Sequence, residues 1–344
     1  MKRVLIGMSG GVDSSVAALL LKKEGYEVIG VTMILFEDPN ISVGCLSNEA
    51  VKDAKKVCEA LGIEHHTLEL KEEFKCKVID NFINCYQKGE TPNPCVECNK
   101  FLKFGALYEK AKELNCEYIA TGHYAKIKDG KLTKSKEIHK DQSYFLYGIK
   151  KEVLSHIIFP LENFDSKEEI RKIAEENNLI VARKKESQEI CFIPNDDYKT
   201  FLIDKLKNVK EGNFINSKGE ILGKHKGIIN YTIGQRKGLG ISAKTPLYVI
   251  SINPETNEVV LGCEEELYKN NLIAKNVNLL VDELPKEAYA KIRFRAKEEK
   301  CKIEKIDEET YKVIFEHPVK SITYGQSVVF YKDDICLGGG IISK

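Results

Sequence analysis

The chain has 344 residues, of which 42% are hydrophobic and 31% charged, the profile of a globular protein with about two or three domains. Its 53 basic and 52 acidic side chains leave a net charge of +1, so any nucleic-acid surface must be local. No apolar run is long enough to span a bilayer, and Lys2 and Arg3 lead into a short apolar strand instead of a signal peptide, so a cytoplasmic protein is expected.

The first element is the most telling. In VLIGMSGGVDSS (4–15) an apolar run meets a Gly-rich turn, and a helical pattern starts at once. A strand, a tight loop and a helix N-terminus build a phosphate cradle, because free N–H groups and the helix dipole favour an anion there. Gly10 and Gly11 allow close backbone approach, and Ser14 and Ser15 add hydroxyls. No lysine follows Gly11, so this is not a Walker A loop; Asp13 stands where such a loop has cationic help.

Strands are expected at 3–8, 27–33, 64–69 and 117–120, with helices at 13–25, 48–61, 72–86 and 100–114. This alternation predicts an α/β fold with a parallel sheet and a ligand at the carboxyl ends of its strands, where Gly10, Gly11, Met33 and Gly122 fall. A hairpin is expected at 126–147 around Asp129-Gly130, and a helical region at 150–207 with a capped helix opening at Asp165-Ser166. Beyond about residue 208 short β runs dominate, including 290–295, 311–315 and 327–331, which predicts a closing barrel or sandwich. The expected parts are 1–207, 208–270 and 271–344.

Eleven cysteines, an odd number, in a reducing setting argue against a disulfide framework. Most are isolated and fit small buried hydrophobes. Cys95 and Cys98 differ: TPNPCVECNKFLKFG (91–105) places them after two prolines and at the expected start of a helix, with Lys100 and Lys103 close by. A Cys-x-x-Cys without chemistry, half of a metal site, and a reactive thiol with a distant partner are all open on spacing alone. Cys191, in KKESQEICFIP (184–194) behind Lys184 and Lys185, is the candidate partner.

Seven strings occur in order: SGGVDSS, TPNPCVECN, TGHYA, KDQSYFLYG, SQEICFI, YTIGQRKGLG and YGQSVVFY. Together they resemble the tRNA-specific 2-thiouridylases, within the PP-loop ATP pyrophosphatase superfamily, over essentially the whole chain. The resemblance implies an N-terminal PP-loop domain (adenine nucleotide alpha hydrolase-like), a small central domain and a C-terminal β-barrel. It implies ATP held by Gly7, Met8, Ser9, Gly10, Gly11, Val12, Asp13 and Ser14, with Met33 and Gly122 at the adenosine and Mg²⁺ placed with help from Asp13. Transfer of AMP to the uracil 2-oxygen makes that oxygen a leaving group. Cys191 then carries a persulfide and Cys98 is the nucleophile that frees or passes on its sulfur. Asn93, Pro94 and Cys95 match target-base positions, while His123, Lys140, Asp141, Gln142 and Gln326 match tRNA contacts. Arg293 and Arg295, expected to share one face of a strand, are further phosphate candidates, and Arg236-Lys237 forms a basic turn. The implied partners are tRNA and a sulfur-carrier protein or cysteine desulfurase.

One position departs from the family. Most members carry Asp where this chain has Cys95. Cys95, Cys98 and Cys191 together make a three-cysteine iron–sulfur site, such as a [4Fe-4S] cluster with an open iron, an alternative to the persulfide. Two further alternatives are another PP-loop adenylating ligase and an iron–sulfur RNA-binding protein with a vestigial ATP site.

Overall fold

The computed structural model describes all residues except 37–47, 137–139, 165 and 185–189. Cys45, Asp165, Lys185, Gln188 and Glu189 therefore lie outside the described residues. The chain divides into two compact units, one of residues 1–78, 95–196 and 333–336, the other of 79–94, 197–332 and 337–344.

The first unit is built on a parallel sheet. Among the described residues its strand order is Glu64–Glu69, Glu27–Ile34, Arg3–Gly7, Tyr118–Ala120, Ile157–Ile158. Val4, Leu5 and Ile6 are fully buried, as a central strand covered on both faces requires. The chain moves outward from the central strand on one side and returns on the other. Gly7 and Ala120 therefore end side by side, with Leu5 paired to both Ile29 and Ile119. That reversal is the switch point at which such sheets open a ligand crevice.

Helix Val12–Lys23 leaves this point, and its Val16, Ala17 and Leu21 share a core with Ala54, Val57, Ile170 and Ala174. The hairpin expected near Asp129-Gly130 is present as strands Lys126–Lys128 and Lys131–Thr133, with both turn residues at positive φ. It ends well before residue 147, because Ser143–Phe145 turns into a short 3₁₀ helix.

Two elements correct the expectations. Residues 150–207 are not continuously helical: Ile157–Ile158 joins the sheet beside Ile119 and Ala120, and the α-helices are Lys167–Glu176 and Tyr198–Leu206. The apolar pair Ile157-Ile158 suits a sheet edge, and periodicity over so short a run cannot separate strand from helix. The helix of the cysteine region starts at Pro94, earlier than expected, and continues through wider π-helical turns at Asn99–Ala106 into Leu107–Glu113. Proline suits a first helical position, where its missing N–H costs nothing.

In the second unit, strands Tyr248–Asn253, Glu258–Gly262, Gly212–Asn216 and Ile221–His225 form a small sheet in that order. Six further strands close into a barrel, because Tyr268–Leu279 pairs with both Tyr311–Lys320 and Ile335–Ser343. Val313, Val328, Val329 and Phe330 on its strands are fully buried. The strand expected at 290–295 stops at Lys291, so Arg293 and Arg295 lie in the turn that follows and do not share a strand face.

Ser166 caps helix Lys167–Glu176, its Oγ accepting from Glu169 N at 3.2 Å. Ser166→Ala is expected to cost about 1 kcal/mol, read as a lower urea midpoint with an unchanged slope.

Candidate active site

The cradle is formed by backbone before any side chain is added. Met8 N donates to Val31 O at 2.8 Å, which fixes the loop onto the neighbouring strand. Gly10 has φ +67°, and a Cβ there would lie 2.3 Å from Ala50 O, so both conformation and space demand glycine. Gly122 is required for space alone: a Cβ would sit 2.9 Å from the Asp13 carbonyl carbon and the Ser14 nitrogen. The loop after Ala120 therefore presses directly on the first turn of helix Val12–Lys23.

Serines line the pocket. Ser9 N donates to Ser14 Oγ at 3.2 Å, and the two hydroxyls are 3.1 Å apart. Ser14 and Ser15 both donate their hydroxyls to Gly11 O, at 3.2 and 2.8 Å. Ser9 itself is exposed, while Ser14 and Val12 are buried. These bonds hold donors in place ahead of any anion.

Asp13 is gripped from two sides. Tyr124 donates its hydroxyl to Oδ1 at 2.9 Å, and Lys167 donates its ammonium to Oδ2 at 2.5 Å. Both partners are buried. Outside the loop, Lys184 donates to Gly10 O at 3.1 Å and pairs with Asp53 at 2.7 Å. Lys167 and Asp53, which join the loop through Asp13 and Lys184, lie in none of the sequence motifs. Lys167 is 154 positions from Asp13, so no local spacing connects them.

The residues expected to touch tRNA mostly hold this assembly. Gln142 clasps Tyr124, accepting from its N–H at Oε1 (2.9 Å) and donating its own N–H to Tyr124 O (2.8 Å). Asp141 is buried and accepts from Ser135 N, Ser143 N and Ser143 Oγ. Lys140 lies over the Tyr124 ring, 5.7 Å from its centre. His123 is buried against Phe104 and Phe159 with Nδ1 bonded to Thr121 Oγ1 at 2.8 Å. Burial, with Lys103 nearby, holds His123 well below the usual imidazole range and so uncharged at neutral pH. A tRNA contact by His123 requires that this packing open.

The cysteines occupy unlike settings. Cys95 is exposed in the first turn of its helix, whereas Cys98 is buried in the second. Cys98, expected at the start of a helix, instead lies past the first turn, because the helix begins at Pro94. Burial raises the Glu97 carboxyl above its usual range, with Lys100 opposing. Asn99 ties the helix down by donating to Phe145 O at 3.0 Å. Cys191 is half-buried, and its neighbour Phe192 is anchored edge-on against Phe74 at 5.7 Å. Both Cys98 and Cys191 are thiols. Among the described residues no group of three or more His, Cys, Asp or Glu side chains is placed to hold a metal ion.

In the second unit, the YGQS and YTIG strings grip the TPNP segment. Gln326 Nε2 donates to Thr91 O at 2.8 Å and Pro92 O at 3.3 Å, Thr91 N donates to Tyr324 O at 2.8 Å, and Thr91 Oγ1 donates to Thr232 Oγ1 at 3.3 Å. Asn93 and Pro94 follow directly in sequence. Arg293 donates to Lys320 O at 2.7 Å and Ser321 O at 3.2 Å, whereas Arg295 is exposed.

Three family models match in order: a tRNA methyl transferase HUP domain at 2–195, a tRNA methyl transferase PRC-barrel domain at 199–263 and an aminomethyltransferase beta-barrel domain at 269–342. A tRNA-specific 2-thiouridylase MnmA from Clostridioides difficile is 49% identical, covering 100% of this chain and 98% of that protein. The chain belongs to the tRNA-specific 2-thiouridylase family. The 2-thiouridylase of Clostridium kluyveri is 52% identical over 100% of this chain and 99% of its own length. That of Caldanaerobacter subterraneus is 52% identical over 99% and 98%. A PP-loop HUP fold, a central domain and a six-stranded barrel, the architecture expected of 2-thiouridylases, are what the described residues form.

Gly10→Ala is expected to displace helix Asn48–Leu61 from the cradle and to cost at least about 1 kcal/mol from the positive φ alone. The thermal unfolding midpoint would fall, and ATP binding would vanish by calorimetric titration.

Proposed function

We propose that this chain is a tRNA-uridine 2-sulfurtransferase that converts the wobble uridine of tRNA to 2-thiouridine. The observation that carries the reading is similarity at about 50% identity to 2-thiouridylases along the whole chain. ATP binds with its phosphates on residues 7–14 and its adenosine near Met33 and Gly122. A Mg²⁺ bound with ATP would be held with help from one or two carboxylates and would offset phosphate charge. Asp13 is the carboxylate at hand in the cradle. The enzyme works in the cytoplasm, where its tRNA substrate is found. No helix among the described residues is long and apolar enough to cross a membrane.

The chemistry is an exchange of sulfur for oxygen. The uridine is splayed from the anticodon loop, as enzymes acting on a base require, and Asn93, Pro94 and Cys95 meet it. Its 2-oxygen attacks the α phosphate, pyrophosphate leaves, and the oxygen becomes part of an AMP leaving group. A sulfur-carrier protein or cysteine desulfurase has meanwhile loaded Cys191 as a persulfide. The Cys98 thiolate attacks the Cys191 sulfur. A Cys98–Cys191 disulfide forms, and the released sulfur bonds to carbon 2 as AMP departs. A dithiol reductant then regenerates both thiols. Lys140, Arg295 and the Arg236-Lys237 turn supply phosphate contacts. Gln142, Asp141, His123, Arg293 and Gln326 act on tRNA through the loops they hold. The working parts are 1–207, 208–270 and 271–344.

The persulfide route is the reading that the family likeness supports, and a [4Fe-4S] cluster on Cys95, Cys98 and Cys191 is the alternative. Cys98→Ser and Cys191→Ser are expected to abolish 2-thiouridine, measured by nucleoside mass spectrometry, while ATP binding persists. Thiolation by Cys191→Ser would overturn the persulfide route, and absence of tRNA-dependent pyrophosphate release from the parent protein would overturn the activity. Cys95→Asp, which restores the residue most relatives carry, is expected to keep thiolation; loss of activity together with iron and labile sulfide in anaerobically purified parent protein would favour the cluster.

A further inference from the structure

The cradle has no lysine of its own, yet it places a carboxylate where anionic phosphates must bind. Asp13 sits in the first turn of helix Val12–Lys23, a position that suits its own charge but repels a polyphosphate unless a cation is near. A cation is near. Lys167 is 6% exposed, and its ammonium donates to Asp13 Oδ2 at 2.5 Å. Lysine is almost never buried to this degree without a dedicated role or partner.

We propose that Lys167 binds the β and γ phosphates of ATP and retains pyrophosphate as it leaves, supplying from a distant helix the charge that a Walker lysine supplies from within its loop. The inference rests on the reading of this loop as the ATP site. Three observations carry it. The first is the placement of Lys167. It is the first residue of helix Lys167–Glu176, whose start is pinned by the Ser166 cap and whose Ile170 and Ala174 are locked into the core shared with Val16 and Leu21. The stem therefore emerges at a fixed point beside the cradle.

The second is that Asp13 does not depend on Lys167 alone. Tyr124 holds Oδ1, and Gln142 holds Tyr124, so the carboxylate keeps its place when the ammonium turns to another oxygen. The ammonium is a compact charge with three donors on a four-carbon stem, so it can serve Asp13 and a phosphate oxygen at once or in turn. The third is that Lys184, a further cation at the loop, is committed elsewhere. Lys184 bonds the Gly10 carbonyl and Asp53, which braces the loop from outside.

The test is titration of α,β-methylene-ATP and AMP, without tRNA, against the full chain and against Lys167→Met and Lys167→Gln. Gln can still donate to Asp13 and guards against a variant that fails to fold; circular dichroism checks both. Loss of one charge-assisted hydrogen bond is expected to weaken the ATP analogue by at least about tenfold and to leave AMP, which lacks the β and γ phosphates, unchanged. Inorganic pyrophosphate should compete with the analogue on the unsubstituted protein and lose that ability in both variants. Equal weakening of the ATP analogue and AMP would make Lys167 a structural brace of Asp13 and overturn the proposal. Unchanged binding of the analogue by a folded Gln variant would overturn it as well. If the unsubstituted protein bound neither nucleotide, the ATP reading of the loop would fall, and the proposal with it.

Discussion

The first unit is organised around one carboxylate. Asp13 stands at the N-terminus of a helix that leaves the switch point of a parallel sheet, and it is held by Tyr124 on one oxygen and Lys167 on the other. Removing either partner leaves a partly buried charge short of compensation, which is costly. The rest of the cradle follows from keeping those groups in contact. Gly10 and Gly122 let backbone pass where a side chain would collide, and Gln142 fastens the backbone of Tyr124. Gln142, Asp141 and His123, which family likeness assigns to tRNA, are thus first of all structural. They hold the loops around the cradle in one shape.

The sulfur side follows a different logic. In the proposed route two thiols must meet during catalysis, and the fold keeps both only partly accessible. Cys98 is buried within a helix that begins at Pro94, and Cys191 is half-buried beside the anchored Phe192. Cys95 is exposed. In the second unit, Gln326 and Thr232 clasp Thr91 and Pro92, just ahead of these cysteines in the chain.

Much of the fold is legible in the sequence because the patterns are long. Strands Arg3–Gly7 and Glu27–Ile34 carry apolar runs, and helix Asn48–Leu61 has clear amphipathic spacing. Short elements are not legible. Ile157-Ile158 becomes a strand only because Ile119 and Ala120 offer an open edge. Arg293 and Arg295 look like an alternating pair, but the strand ends at Lys291 and Arg293 turns inward to the carbonyls of Lys320 and Ser321. The start of the cysteine helix is hidden because a proline such as Pro94 suits an irregular loop and a first helical turn equally well.

The sequence alone determined the chemistry that is available: a phosphate loop without a Walker lysine, two separated thiols, and the order of motifs that marks the family. Such features are encoded by neighbours in the chain, where spacing fixes geometry. Tertiary structure decided which groups act together. Lys167 reaches Asp13 across 154 positions, His123 disappears among aromatic rings, and Gln326 turns to the TPNP segment. These are contacts between distant residues, set by sheet order and core packing, and no local pattern in the chain records them.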